Sequence, residues 1–189
     1  MTRDELIGPI HGRLGVLERS GDQRVTIADL TDDSRKVGPG SLFVAVQGER
    51  VDGHQFLDPV VAAGAAAVVV QRSGDVGAIS CVRVQDSRAA LGILGSRFYG
   101  DPSSSLRMIG VTGTNGKTTT TYVVKTMLEA ARRRVGLIGT VAYLVGKESI
   151  PASHTTPGAL ELQKLFARMR EARLDTVVME VTSHALALD

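Results

Sequence analysis

The chain has 189 residues, 43% of them hydrophobic and 22% charged, with a net charge of +2. That length allows one large or two small domains, and the composition is ordinary for a soluble globular protein. The near-neutral balance gives no argument for nucleic acid as a partner, and the single cysteine, Cys81, excludes an intrachain disulfide and suits a reducing compartment.

No long apolar stretch follows Met1, so no signal peptide is visible. The longest apolar run, residues 60–70, is too short to span a bilayer. A cytoplasmic protein with no membrane contact is expected.

Residues 4–17 read as a helix broken at Gly8-Pro9 and Gly12, and residues 25–27 as a strand. Residues 30–40 are rich in turn formers. A strand is expected over 41–46, then a charged loop over 48–54. A helix follows over 55–64 with Phe56, Leu57, Val60 and Val61 inward. Strands are expected over 65–70 and 82–84, the second following Cys81 as a buried thiol. Asp86 or Ser87 caps a helix that runs to Tyr99, with Leu91, Leu94 and Phe98 on one face.

Gly100-Asp101-Pro102 and the serines 103–105 mark the domain boundary, giving domains over 1–101 and 102–189. A buried strand over 106–111 then runs into Gly110-Val111-Thr112-Gly113-Thr114-Asn115-Gly116-Lys117-Thr118-Thr119-Thr120. A helix follows, its apolar face carried by Val123, Val124, Met127, Leu128 and Ala131. Strand, glycine turn, Lys-Thr and helix make a phosphate-binding loop. Gly113 and Gly116 free the backbone to approach a phosphate, and successive N–H groups with the helix N-terminus attract the anion. Lys117 supplies positive charge to the terminal phosphates, and the Thr118 hydroxyl is placed for a bridging Mg²⁺. The longer G-x-x-x-x-G-K-[ST] pattern needs Gly at position 111, where Val stands, so the match is to a shorter G-T-N-G-K-T-T form.

Beyond the loop, a strand is expected over 135–139 and a hairpin over 142–150, turning at Gly146-Lys147. Thr156 reads as the N-cap, and Pro157 as the first residue, of a helix that buries Leu162, Leu165, Phe166 and Met169. A final strand over 175–181 carries Glu180 at its end. The alternation means a parallel α/β sheet with ligands at the C-terminal strand ends. Only about three strands are expected before residue 189, so this second domain reads as incomplete.

Several residues also have plain readings. Ser34 can bond its own turn, His54 can close the Asp52-Gly53 turn, and His184 can orient Glu180. Arg132-Arg133-Arg134 sits where a helix C-terminus favours cations.

Taken together, the motifs resemble the Mur ligases, and within them the MurE type, the UDP-N-acetylmuramoyl-tripeptide synthetases. The resemblance covers nearly all of residues 25–189. Asp33-Ser34-Arg35, Pro39-Gly40-Ser41-Leu42-Phe43-Val44-Ala45, Asp52-Gly53-His54, the phosphate loop, Gly139-Thr140, Thr155-Thr156-Pro157 and Glu180-Val181-Thr182-Ser183-His184 carry it. The first three would also suit the MurF type, which is the alternative, although residues 135–151 lack the asparagines expected of it.

The resemblance implies a small N-terminal α/β UDP-binding domain followed by an incomplete P-loop parallel-sheet ATPase domain. It implies that Asp32 and Ser34 lie near the nucleotide and diphosphate of UDP-N-acetylmuramoyl-dipeptide, with Glu49, Arg50 and Val51 beside the uridine. ATP would sit on Gly113, Thr114, Asn115, Gly116, Lys117, Thr118 and Thr119. Thr118 and Glu180 would hold Mg²⁺, and Lys117 and Glu180 would be catalytic. His154, Thr155, Thr156 and Thr182 would face the sugar-peptide part. The family often has Ser where Thr182 stands, and some members have Asn where His154 stands. The implied reaction is ATP-dependent acylation of a diamino acid, meso-diaminopimelate or L-lysine, through an acyl phosphate, in a monomer. The family's remaining parts, among them a carboxylated lysine and the domain selecting the amino acid, would lie beyond residue 189. The chain alone is therefore expected to be an inactive fragment, and the alternative is a non-catalytic module that only binds nucleotide or UDP-sugar.

Overall fold

The computed structural model describes residues 1–48, 51–72 and 76–188. The chain forms two compact units, Met1–Phe98 and Tyr99–Asp189.

In the first unit, Thr2 and Glu5 form a capping box that starts α1 (Arg3–Ile7). A 3₁₀ turn at Gly8–Ile10 leads to α2 (His11–Leu14), which stops at Gly15 with φ 58°. The helix expected over 4–17 overruns here. Val16 and Leu17 already belong to β1 (Val16–Ser20), an edge strand antiparallel to β5 (Ser80–Val84). Buried Arg3 ties the two ends of this region together, donating to the Ser20 carbonyl at 2.7 Å and to the Ser80 hydroxyl.

The sheet order is β1-β5-β4-β3-β2. β2 (Asp29–Thr31), β3 (Ser41–Val44), β4 (Ala67–Val70) and β5 pair in parallel. The strand expected over 25–27 is only a single bridge, Thr26 to Thr2; Leu30 and Thr31, expected in a turn, form the buried strand instead. Every residue of β3 and β4 is buried, as central parallel strands require. A 3₁₀ turn (Gly53–Phe56) and α3 (Leu57–Ala62) join them. Val60 is fully buried, but Val61 faces outward, contrary to the expected inward stripe. Phe43, Ala45, Val60, Val68, Val70 and Cys81 pack as one core cluster. After β5, the Asp86 carboxylate accepts the N–H groups of Arg88 and Ala89 at 2.8 and 3.0 Å, and so caps α4 (Ser87–Phe98).

The second unit opens with β6 (Arg107–Val111) and α5 (Lys117–Ala130). β7 (Val135–Ile138), β8 (Ala142–Val145), β9 (Glu148–Pro151), α6 (Ala159–Glu171), β10 (Thr176–Glu180) and α7 (Ser183–Leu188) follow. The sheet order is β6-β10-β7-β8-β9, with β6, β10 and β7 parallel and the β8–β9 hairpin antiparallel. Five strands replace the expected three, because the 142–150 hairpin joins the same sheet through Leu137–Leu144 and Ile138–Tyr143 pairing. Leu165, Phe166 and Met169 of α6 pack on Ile138, Tyr143 and Val177.

Two expectations about burial are corrected. β6 is an edge strand with Met108 exposed, not a buried one. On α5, Val123 and Met127 are 51% and 66% exposed, while buried Thr121 lies in the helix's first turns. The expected apolar face therefore lies partly on the outside. Beyond α5, Arg133 and Arg134 pair with Asp175 at 3.1 and 3.7 Å.

Candidate functional site

The 3.6-residue period of α5 and the parallel pairing of β6 and β10 build one end of the second unit. β6 ends at Val111, and the chain turns through Gly113 (φ 142°) and Gly116 (φ 78°) into α5. Gly116 is the N-cap, so no side chain covers the first N–H groups of a 14-residue helix. A Cβ at Gly116 would meet nothing within 4 Å, and at Gly113 only the Asn115 carbonyl at 3.9 Å. These glycines are required by backbone angle, not by crowding. Gly113, Thr114, Asn115 and Gly116 are exposed, as is Thr119, while Lys117 and Thr118 are half-buried in the first turn of the helix. Lys117 Nζ arches back over the loop and donates to the Gly113 carbonyl at 2.7 Å.

Glu180 closes β10 opposite Val111, its partner in the β10–β6 register. The next N–H, that of Val181, donates to the Val111 carbonyl at 2.9 Å. Phosphate loop and carboxylate are thus set by neighbouring parallel strands, at their C-terminal ends. Glu180 is only 1% exposed. Its Oε1 accepts the Thr140 N–H at 3.0 Å and its Oε2 accepts the Thr140 hydroxyl at 3.1 Å. No Lys, Arg or His pairs with it among the described residues. Gly139 makes this seat possible, because a Cβ there would fall on Glu180 Oε1.

The threonines converge on the same place. Thr140 and Thr155 hydroxyls lie 3.1 Å apart. Contrary to the sequence expectation, Pro157 is not the first residue of a helix and Thr156 does not cap one. Its hydroxyl donates to the Glu180 carbonyl at 2.9 Å and accepts the Thr182 N–H at 3.1 Å, and α6 starts later, with Gly158 as N-cap. Tying the 155–157 segment to the end of β10 holds more backbone groups than capping would. The Thr182 hydroxyl accepts the Ala185 N–H at 3.2 Å and so starts α7. His154 is exposed, but its backbone is clamped by buried Tyr143, whose hydroxyl donates to the His154 carbonyl at 2.7 Å. Thr140, Gly139 and Tyr143 were not read as site residues. Thr140 lies 40 positions from Glu180, so only the matching position of Gly139-Thr140 past a strand end hinted at it.

In the first unit, Asp32 and Ser34 lie past the C-terminal end of β2, and Val51 past that of β3. Asp32 is exposed and Ser34 half-buried at the start of a 3₁₀ turn. Asp33 shapes that turn. It accepts the Arg35 N–H at 3.1 Å and both ends of its guanidinium, which hold the Asp33 carboxyl at a pKa of about 2. Val51 is exposed, and its carbonyl accepts the Gly48 N–H at 3.0 Å. Glu49 and Arg50 lie outside the described residues.

The sequence pattern of the Mur ligase family catalytic domain matches residues 26–99, and that of the Mur ligase middle domain matches residues 111–189. The UDP-N-acetylmuramoyl-L-alanyl-D-glutamate–2,6-diaminopimelate ligase of Alkaliphilus metalliredigens is 45% identical over 177 residues, covering 93% of this chain and 36% of that one. Its counterpart in Clostridium acetobutylicum is 46% identical over 170 residues, covering 89% and 35%. The chain thus spans about a third of the length of these curated relatives. A solved diaminopimelate ligase of the same name superposes with a TM-score of 0.78 at 24% identity, over 100% of this chain and 37% of that one. A MurF ligase of Thermotoga maritima in complex with ADP gives 0.55 at 25% identity, over 84% and 32%. Among the described residues, no helix is long and apolar enough to cross a membrane.

Proposed function

The chain belongs to the Mur ligase family, with its N-terminal and middle domains, and from that premise we propose that it forms the UDP-sugar- and ATP-binding part of an amide-bond ligase of peptidoglycan precursor synthesis. The domain over 1–101 binds UDP-N-acetylmuramoyl-L-alanyl-D-glutamate, and the domain over 102–189 binds ATP. We assign diaminopimelate, not L-lysine, as the amino acid added, because the relatives carry it in their names. The protein works in the cytoplasm as a monomer.

The observation that supports this most is the Glu180 carboxylate, buried without a cation partner among the described residues and paired in register with the strand that opens the phosphate loop. A buried carboxylate is costly unless something offsets its charge. An all-oxygen set, Glu180 and the Thr118 hydroxyl, suits Mg²⁺, and these two would hold it. Mg²⁺, when bound, lowers the repulsion between a triphosphate and an incoming carboxylate. Everything else falls to the chain itself. The loop N–H groups and Lys117 hold and align the phosphates. Thr140 fixes the Glu180 carboxylate from two sides. His154, Thr155, Thr156 and Thr182 orient the sugar-peptide part so that its D-Glu carboxylate oxygen meets the γ-phosphorus. A P–O bond forms there as the bond to ADP breaks. The diamino acid's amine then attacks the acyl carbon, the C–O bond to phosphate breaks, and the amine loses a proton.

Purified chain should bind ATP and the UDP-sugar dipeptide separately, by isothermal titration, and form no ligated product with diaminopimelate. Failure to bind either nucleotide would remove the proposal; product formation would overturn the assignment of turnover to a longer protein.

A further inference from the structure

At the end of the second unit opposite the phosphate loop, α5 and α6 stop in the same way. The Arg132 N–H donates to the Glu129 carbonyl at 2.8 Å, and the Arg133 N–H to the Leu128 carbonyl at 2.9 Å. At α6, the Arg173 N–H donates to the Arg170 carbonyl at 2.9 Å, and the Leu174 N–H to the Met169 carbonyl at 3.0 Å. Both are Schellman closures, which need one residue with left-handed backbone angles. Arg132 has φ 61° and Arg173 has φ 58°. α3 closes with the same pair of bonds, and there Gly64 fills the position at φ 87°. A side chain is disfavoured at such angles, so the two arginines stand where glycine would suit the backbone better. The helix dipole favours a cation near the last turn, but it does not require one at the left-handed residue.

Strand register collects further cations beside them. Arg107 opens β6, Asp175 directly precedes β10 and Arg134 directly precedes β7. The β6–β10 and β10–β7 pairings set these three strand starts side by side, about 4.8 Å apart. The β8–β9 turn brings Lys147 to the same end, where a Cβ on Gly146 would lie 3.7 Å from that of Ala172. Arg107, Arg132, Arg134, Lys147 and Arg173 are all exposed. Asp175 is already engaged by Arg133, by Arg134 and by the Thr176 hydroxyl at 2.7 Å. Glu129 and Glu148 pair with Lys125 and Arg168, and Glu171 stands exposed at the end of α6. Arg107, Arg132, Lys147 and Arg173 have no ion pair among the described residues.

We propose that this basic rim is a docking surface for an acidic segment of a partner protein. All of its cations but Lys147 are arginines, whose planar forks take carboxylates two bonds at a time. The pattern of charge selects a protein over a lipid surface or a nucleic acid, because Asp175 and Glu171 lie within the row. A uniformly anionic sheet or backbone would be laid against both, whereas a peptide sets its carboxylates between them. None of the rim residues is an aromatic of the kind that anchors at a lipid interface. The rim lies at the N-terminal ends of the parallel strands and the phosphate loop at their C-terminal ends, about 16 Å away, so both can be occupied at once.

The test adds a short peptide of alternating glutamate and serine to the 189-residue chain and follows its amide NMR signals. The amides of Arg107, Arg132, Arg134, Lys147 and Arg173 should shift, those of Gly113 to Thr119 should not, and added salt should weaken the binding. Arg132→Gly and Arg173→Gly together should weaken the peptide about tenfold, the size of one lost charge-assisted hydrogen bond. The same double variant should have a Tm equal to or above that of the wild type and an unchanged ATP affinity, because glycine takes the left-handed angles freely. Arginines kept for stability would instead lower the Tm when removed. No peptide binding by the wild type, equal binding by the double variant, or a lowered Tm in it overturns the proposal. Tighter binding of phosphatidylserine vesicles or of a DNA duplex than of the peptide also overturns it, in favour of a lipid or nucleic-acid surface.

Discussion

Lys117→Ala is expected to weaken ATP binding by about tenfold to a hundredfold, the size of one or two lost charge-assisted hydrogen bonds. The physical case is local. The loop offers N–H groups of partial charge, and α5 adds its N-terminal dipole, but Lys117 is the one full positive charge in the 110–120 segment. Its Nζ also bonds the Gly113 carbonyl, which draws the side chain over the loop instead of into solvent. Lys117→Arg should not rescue binding, because a planar guanidinium cannot take the same compact seat. The fold should survive both changes, since the ammonium's hydrogen bonds go to carbonyls of the exposed loop, Gly113 and Thr114. Titration calorimetry with ATP, alongside a thermal melt of each variant, checks this. Unchanged affinity in Lys117→Ala would mean that the triphosphate does not lie on this loop.

The second large effect is expected at Gly139. Alanine there puts a Cβ on Glu180 Oε1 and 3.2 Å from its Cδ. The carboxylate must move, and in moving it loses the Thr140 N–H. Overpacking and a weakened buried hydrogen bond together should cost about 2–5 kcal/mol of stability. Thr140→Val removes the hydroxyl's bonds to Glu180 and Thr155 but keeps the N–H bond, and should cost less, about 1–2 kcal/mol, while Thr140→Ser should stay close to the wild type. Urea unfolding of the three variants gives the ranking. Gly139→Ala as stable as the wild type would mean that the carboxylate is not seated as tightly as its contacts imply.

These residues also mark where the sequence could and could not be read. The strand, glycine turn and helix around Gly113 and Gly116 are legible because their signals are local: an apolar run before, two glycines, and a helical period after. The place of Glu180 at a strand end is legible because a carboxylate ends an apolar run. Thr140 was not, since its partner lies 40 positions away and only β7–β10 pairing brings them together. Thr156 was misread for a related reason. A threonine before a proline reads as an N-cap, yet the end of β10 offers it two backbone partners. β2 was placed too early because Val25-Thr26-Ile27 has the better strand alternation. Sheet pairing instead selects Asp29–Thr31, where Leu30 and Thr31 can be buried. On α5, periodicity gave the helix but not which apolar residues face in, because it says nothing of how many strands the helix covers. β6 is the sheet edge, and Val123 and Met127 stand exposed. In the first unit, the Asp52-Gly53-His54 turn is visible as a turn, but the bonds from the Gln71 N–H to His54 and from Arg72 to Asp52 span 17 and 20 positions and come only with the fold.

The most direct test of the central claim, that the ends of β6 and β10 form a Mg²⁺-nucleotide site, is the effect of Mg²⁺ on ATP affinity in the wild type and in Glu180→Gln. Glutamine keeps the size of the side chain and can still accept from Thr140, while it removes a buried charge that lacks a cation partner among the described residues. The variant should therefore be at least as stable as the wild type without ligand. In the wild type, Mg²⁺ should tighten ATP binding at least tenfold; in Glu180→Gln that gain should disappear, while the weaker metal-free binding persists. An equal gain from Mg²⁺ in both proteins, or no ATP binding by the wild type, would contradict the assignment of Glu180 and the loop to one site.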